Sequence, residues 1–574
     1  MERRLLVVFA LTFLVILLFQ PLLKKYGPQP TAKPESSRAA GQNQAQPATQ
    51  LPSQLAAANV AASAQAPASA PLQAASESET VIENTVFKIV FTNRGARVKS
   101  WVLKKYTDDK GGPLELVNTA AAEKYGYPLE LWTYDETLRN KLNSALYVAN
   151  SSGATAPAEI TFAYDDGDVS VQKSYKFDRD SYVVGVRTSV TAKGAQVTAF
   201  PMWPAGLGGD TTGPQYATAQ IVYQYDSKVE RLPIKKISGG GTLPGPFHWA
   251  GVSDQYFAAV FLPQDPQSAA MVTLHNTIEI PHNASDANNK QMDKVDVLGA
   301  AVGSLKGSTD ERLYVGPKAL SDLESVAVPG ITGAEPDLRA IIDFGWLGII
   351  ARPLFLWLKW IYNHIVPNWG WAILLQTLVI NLALLPLRLS QMKSMLKMQR
   401  VAPQIKSIQE KYKKYSLRDP KKAEMNEEIS ALYKREGVNP AGGCLPLLIQ
   451  MPFLFAYYRM LNVAMDLRHA PWMWVKDLAA PDPHYILPIS IVVTMFFMQR
   501  LTPQAGMDPA QQKMMNIMMP AMLGLMSFNL PAGLGLYWAA GQLIGIVQQS
   551  VMNRTSLGRE MRAMMEKRAR KKEK

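Results

Sequence analysis

Apolar positions fall into three textures along the chain. After a short basic start, residues 5–19 form an almost unbroken apolar run that Leu22 and Leu23 extend. At a rise of about 1.5 Å per residue, such a run is about long enough to cross the hydrocarbon of a bilayer. Residues 1–26 therefore read as a membrane anchor. A cleaved secretory signal starts in a similar way, but no small-residue cleavage site closes the run, and Gln20, Pro21, Leu22, Leu23, Lys24 and Lys25 follow instead. Residues 27–80 are Ala, Gln, Pro and Ser with few large apolar side chains. Burial there cannot offset the entropy of ordering, so the stretch reads as a flexible linker.

From residue 81 to residue 335 the texture changes to short runs that alternate apolar and polar positions, as at residues 86–91, 169–177 and 270–280, broken by Gly, Asn and Asp. Period-two alternation with turn punctuation predicts antiparallel sheet, and about 250 residues of it predict a large β-sandwich. The Pro- and Gly-rich residues 201–209 and the triplet Gly239, Gly240, Gly241 read as long loops, and residues 317–328 as a short helix.

Beyond Pro336 the pattern is helical and apolar. Residues 336–367 are dense in aromatic side chains and read as a helix lying in the membrane interface, with a spanning helix as the rival reading. Residues 368–387 form a better span, fenced by Trp369 and Trp371 at one end and Arg388 at the other. Residues 388–441 are polar; Met392, Met395, Met398, Ile405 and Ile408 recur at helical spacing, and residues 417–420 break the pattern before residues 423–436 resume it, which predicts a helical hairpin. Residues 442–551 hold four further apolar segments, 444–461, 485–498, 514–528 and 534–551, the last two separated by Asn529, Leu530, Pro531, Ala532 and Gly533. The sequence thus predicts six membrane spans, a large sheet domain on one side of the membrane and a basic tail, residues 552–574.

Charge tests that count. The net charge of +13 invites nucleic acid as a partner, but the basic runs lie beside apolar segments: Arg3 and Arg4, the hairpin, and nine basic residues from Arg554 onward against Glu560, Glu566 and Glu573. Basic flanks of this kind mark cytoplasmic ends. With the N-terminus cytoplasmic, six spans put the hairpin and the C-terminus on the same side and the sheet domain opposite. DNA is not expected as a partner. The single cysteine, Cys444, excludes an internal disulfide.

Polar groups inside the apolar segments are the candidate functional residues: Gln376, Asn381, Arg388, Gln450, Asn516 and Gln542. Singly, each amide can bond to a neighbouring helix and Arg388 can snorkel to headgroups. Together they point to a shared polar groove, because unpaired polar groups in hydrocarbon cost several kcal/mol and tend to face one another or a wetted cavity. Asn381 and Arg388 are seven residues apart and so share a helix face. Pro386, Pro446, Pro452, Pro488 and Pro520 loosen the bundle, and abundant methionines supply adaptable apolar surface. No glycine-rich phosphate loop, zinc-binding H-E-x-x-H or paired-cysteine motif occurs, and the six histidines are scattered. The expectation is a non-enzymatic protein with no cofactor and no metal.

The run Asn439, Pro440, Ala441, Gly442, Gly443, Cys444, Leu445, Pro446 through Pro452 resembles the segment opening the third span of the YidC/Oxa1/Alb3 insertase family. Similar matches are Asp343, Phe344, Gly345, Trp346; Asn368, Trp369, Gly370; Pro386, Leu387; Ala431, Leu432, Tyr433, Lys434; and residues 531–538, so that the likeness covers about residues 341–551. The resemblance implies a bacterial inner-membrane insertase and folding chaperone of the Gram-negative type, with a large periplasmic domain. Family members are thought to use a water-filled groove open to the cytosol and to lipid, without nucleotide hydrolysis. It further implies newly made membrane proteins and lipids as partners, with ribosomes and the Sec translocon as helpers. One departure stands out: the family's groove arginine lies five residues before the Pro-Leu pair, which here is Asn381, and Arg388 is expected to compensate from a shallower depth. The sheet domain also looks like sugar-binding sandwiches related to galactose mutarotase.

Overall fold

The computed structural model describes residues 71–208, 219–281, 292–331, 337–415, 419–438, 445–501, 509–556, 558–559 and 563. The expected anchor (1–26), residues 27–70 of the linker, Cys444 and most of the basic tail lie outside the described residues. The chain divides into two compact units, one ending at Ile341 and the other running from Ile342.

The first unit is a β-sandwich. A ten-stranded sheet and a five-stranded sheet pack through the strand Met292–Ser304 against Trp249–Ser253 and Phe257–Pro263, and a four-stranded antiparallel sheet, residues 79–115, completes the unit. Alternation in the sequence becomes alternation in burial: along Val169–Phe177, positions 169, 171, 173, 175 and 177 are inside and Ser170, Gln172 and Lys176 outside. The Pro- and Gly-rich stretch expected to be loop holds a strand, Phe200–Trp203, with all four residues buried. It lies between the strands Leu131–Trp132 and Met292–Ser304 and contributes Trp203, stacked edge-on to Trp101 at 5.8 Å. Three short helices decorate the unit: α1 (Thr119–Tyr125), α2 (Glu136–Ser144) and α3 (Leu320–Glu324).

An inward lysine sits among those apolar positions. Lys173 is 0% exposed, and its ammonium donates to the carbonyls of Gly95 at 2.7 Å, Leu129 at 2.9 Å and Ala96 at 3.2 Å. All three acceptors have left-handed backbone, with φ of +68°, +66° and +47°. That region is disfavoured for Leu and Ala, so the ammonium holds two strained turns in place.

Glu311, in the strand Thr309–Pro317, is 1% exposed and neither carboxyl oxygen has a hydrogen-bond partner. Burial, with Asp310 next to it as a smaller cause, raises its proton affinity well above the usual carboxylate range. The unfolded chain releases this proton in the ordinary carboxylate range while the folded chain keeps it. The associated stability is therefore complete below that range and is lost as pH rises towards the folded value. Glu311→Gln is expected to remove the loss, so that its gain in Tm over the natural chain grows as pH is raised above the ordinary carboxylate range. Thermal unfolding followed by circular dichroism checks this; a gain independent of pH would contradict it.

The second unit is helical: α4 (Gly348–His364), α5 (Trp369–Ala383), α6 (Leu385–Lys411), α7 (Lys421–Arg435), α8 (Leu445–Val463), α9 (Ile486–Leu501), α10 (Pro509–Ser527) and α11 (Ala532–Arg554). Helix α4 buries Ala351, Leu354, Phe355, Leu358 and Ile361 and packs on α5 and α8, leaving Ile349, Leu356 and Trp360 exposed. Helices α6 and α7 form a hairpin around Val401, Ile405, Tyr412, Met425, Ile429 and Leu432. Asn368 caps α5 by accepting from Trp371 N, and an ion pair from Arg459 to Asp343, 2.9 Å, ties α8 to the segment before α4.

The expectation of six membrane spans, and with it a multi-pass inner-membrane topology with both termini cytoplasmic, is corrected here. Among the described residues no helix is long and apolar enough to cross a membrane. The reason is physical. Helix α5 has 15 residues and α9 has 16, which rise about 22–24 Å against about 30 Å of hydrocarbon. The apolar run through residue 387 does not continue α5, because the chain breaks at Leu384 and restarts as α6 at Pro386's turn. Helix α8 has 19 residues but carries Gln450, Pro452, Arg459 and Asn462, and the 23 residues of α11 include Gln542, Gln548, Gln549 and Asn553.

Candidate functional site

Within the helical unit, polar side chains gather at two levels on the faces that α5, α8 and α11 turn to one another. At the upper level Gln376 is fully buried on α5. Its Nε2 donates to the Leu354 carbonyl of α4 at 2.9 Å, and its Oε1 accepts from the Tyr457 hydroxyl of α8 at 2.6 Å. The Tyr457 ring stacks on Tyr537 of α11, centroids 4.0 Å apart and planes 13° off parallel. Gln450, two turns earlier on α8, donates to the Tyr537 hydroxyl at 3.0 Å. Four helices are thus tied by one satisfied network, with aromatic faces excluding bulk water from its centre.

The lower level lies at the break between α5 and α6. Asn381 is buried in the last turn of α5, and its Nδ2 donates to the Thr377 carbonyl at 2.8 Å. Its Oδ1 accepts from Nη2 of Arg388, in the first turn of α6, at 2.9 Å. The other end of the guanidinium, Nη1, donates to Oε1 of Gln548 on α11 at 2.5 Å, and Gln548 Nε2 returns a bond to the Asn381 carbonyl at 3.2 Å. The last carbonyls of α5 carry the partial negative charge of a helix C-terminus, which suits a cation there. Both partners in these bonds are neutral amide oxygens. The half-buried guanidinium has three of its five N–H donors beyond the two used here.

Of the residues expected from the sequence, the structure brings together Gln376 with Gln450 through two tyrosines, and Asn381 with Arg388 directly. Gln542 lies half-buried on α11 and takes part in none of these bonds. Asn516 falls on α10, and its side chain lies outside the described residues. Sequence reasoning missed Gln548, Tyr457, Tyr537 and Thr377. Gln548 was findable, since it is seven residues beyond Gly541 on the face that meets α5, but its neighbours Gln549 and Ser550 make it read as a polar helix end. Among the described residues no group of His, Cys, Asp or Glu is arranged to hold a metal ion.

The flanks of the unit are apolar and exposed, with Leu382, Val493, Phe497, Met522, Leu525, Val547 and Val551 each more than 40% accessible. Exposed apolar side chains of this kind, where they are contiguous, mark contact surfaces.

Comparison with known proteins gives two family matches: the 60Kd inner membrane protein family over residues 360–559, and the YidC periplasmic domain over residues 79–357. The chain is 33% identical over 486 residues to the membrane protein insertase YidC of Ralstonia nicotianae, covering 83% of each. To its counterpart in Cupriavidus necator it is 35% identical over 418 residues, covering 71% of this chain and 70% of the other. A crystal structure of an active YidC insertase covers 84% of this chain and 95% of its own, at 20% identity and a TM-score of 0.35. A putative aldose 1-epimerase from Escherichia coli K12 covers 42% of this chain and 100% of its own, at 10% identity and a TM-score of 0.27.

Proposed function

Because this chain belongs to the YidC family of membrane protein insertases, we propose that its Arg388 junction receives the hydrophilic stretch of an incoming client while the client's apolar segment passes into lipid along the exposed helix flanks. The protein is a membrane protein insertase and chaperone that acts in membrane protein biogenesis. The observation that carries the groove reading is the charge of Arg388, which meets two neutral amides rather than a carboxylate. Such a cation is ready for an acidic residue or a backbone carbonyl of the client. Moving polar backbone out of water costs several kcal/mol per unsatisfied group. Guanidinium and amide groups that stand in for part of that water lower the barrier. Partition of the client's apolar segment drives the step, with no nucleotide needed.

The α6–α7 hairpin supports a role in recruitment. Lys406, Lys411, Lys413, Lys414 and Lys421 are exposed on it; Lys411 pairs with Glu428 and Lys406 with Glu410, and the others leave a basic face suited to the phosphates of a translating ribosome. We assign the hairpin and the basic tail to ribosome or nascent-chain contact, with the Sec translocon as a partner for larger clients.

Photo-crosslinking tests the groove. With a photoreactive residue at position 542, half-buried on α11, a single-span client stalled during insertion is expected to give adducts mapping to its translocated tail. Adducts to lipid alone would overturn the groove reading while leaving family membership untouched.

A further inference from the structure

The slot that holds Arg388 depends on a side chain that is missing. Gly545 is buried on α11, and a Cβ added there would stand 3.0 Å from Nη1 and 3.8 Å from Nη2 of Arg388, with Cε of Met498 at 2.8 Å. Glycine inside a helix is unfavourable relative to alanine. Gly545 is not among the glycines with left-handed backbone, so conformational freedom does not account for it. Close approach does. Of its two neighbours, Met498 presents the flexible end of a side chain that can turn away. Arg388 is held at both ends, by Asn381 and by Gln548, which lies three residues beyond Gly545 on the same helix face.

We propose that Gly545 and Gln548 are positioning residues for client recognition: the glycine opens the slot that lets the Arg388 guanidinium lie against α11, and the glutamine fixes its orientation towards the client. The inference rests on the reading that Arg388 receives the client's hydrophilic stretch. A side chain at 545 obliges the guanidinium to give way by a few tenths of an ångström, which strains its bond to Gln548 and shifts the charge from its set position. The loss then falls on clients that use the charge and spares those that do not, which a packing defect cannot do.

The test is a double-mutant cycle on the purified full-length chain in liposomes. It uses a single-span client with an acidic translocated tail and the same client with that tail neutralised to Asn and Gln. Gly545→Ala is expected to lower insertion of the acidic client roughly fivefold, in keeping with modest overpacking, and that of the neutral client less than about twofold. In an Arg388→Ala background, Gly545→Ala is expected to change neither. Gln548→Met, which keeps volume and removes both bonds, is expected to give the same client-selective loss. Equal loss for both clients, or an undiminished effect in the Arg388→Ala background, would overturn the inference while the Arg388 reading stands. No effect of Arg388→Ala itself would overturn that reading, and the inference with it.

Discussion

Arg388→Glu is expected to cut insertion of a client with an acidic translocated tail about tenfold or more, and insertion of a neutral-tailed client much less. A hydrogen bond to a charged group contributes about 1.5–3 kcal/mol, and about 1.4 kcal/mol is a factor of ten. Reversal adds repulsion of about 1–4 kcal/mol between like charges at about 4 Å, according to the local dielectric. The guanidinium is half-buried rather than enclosed, so the difference between clients is expected to shrink as salt is raised. The variant is expected to fold, because position 388 is only half-buried and a carboxylate there keeps contact with water. Protease protection at low and high salt, with thermal unfolding as the control, measures this. An equal loss for both clients would mean that Arg388 acts only in holding the helices together.

Lys173→Met is expected to destabilise the sheet unit by about 3 kcal/mol or more, the second large effect. Methionine fills most of the volume but leaves the carbonyls of Gly95 and Leu129 buried without their donor, and that of Ala96 with only the long bond from the Tyr175 hydroxyl at 3.5 Å. Each such orphan costs about 1–3 kcal/mol. The strain at Ala96 and Leu129, both at positive φ, then has nothing to hold it. Denaturant unfolding of the full-length chain followed by tryptophan fluorescence is expected to show the loss, since Trp101 and Trp203 lie in this core. Stability unchanged by the substitution would show that the turns are held by sheet pairing alone. The same substitution is expected to leave the Arg388 junction, which belongs to the other unit, unaltered.

The sheet unit was legible because burial on one face forces alternation, as at Val169–Phe177, where Lys173 was the exception that alternation alone could not explain. The strand Phe200–Trp203 was hidden by its setting. Pro201 and the glycines after Leu207 are loop signals, and only tertiary contacts with Trp132 and Ala301 reveal pairing. In the helical unit, apolar run length was a poor guide to helix length. Residues 368–387 read as one segment, but the break at Leu384 ends α5 and places Arg388 in the first turn of α6. The seven-residue spacing put Asn381 and Arg388 on one face, and the structure joins them at 2.9 Å across that break. Tyr457 and Tyr537 escaped notice because an aromatic residue in an apolar helix reads as packing; their hydroxyls matter only once Gln376 and Gln450 are seen opposite them.

The most direct test of the account is protease protection of a small single-span client with a short acidic translocated tail, added to liposomes that contain only the purified full-length chain. The expected result is protection well above empty liposomes, lowered by Arg388→Ala. Protection no greater than that of empty liposomes, with the protein folded and correctly oriented, would contradict it.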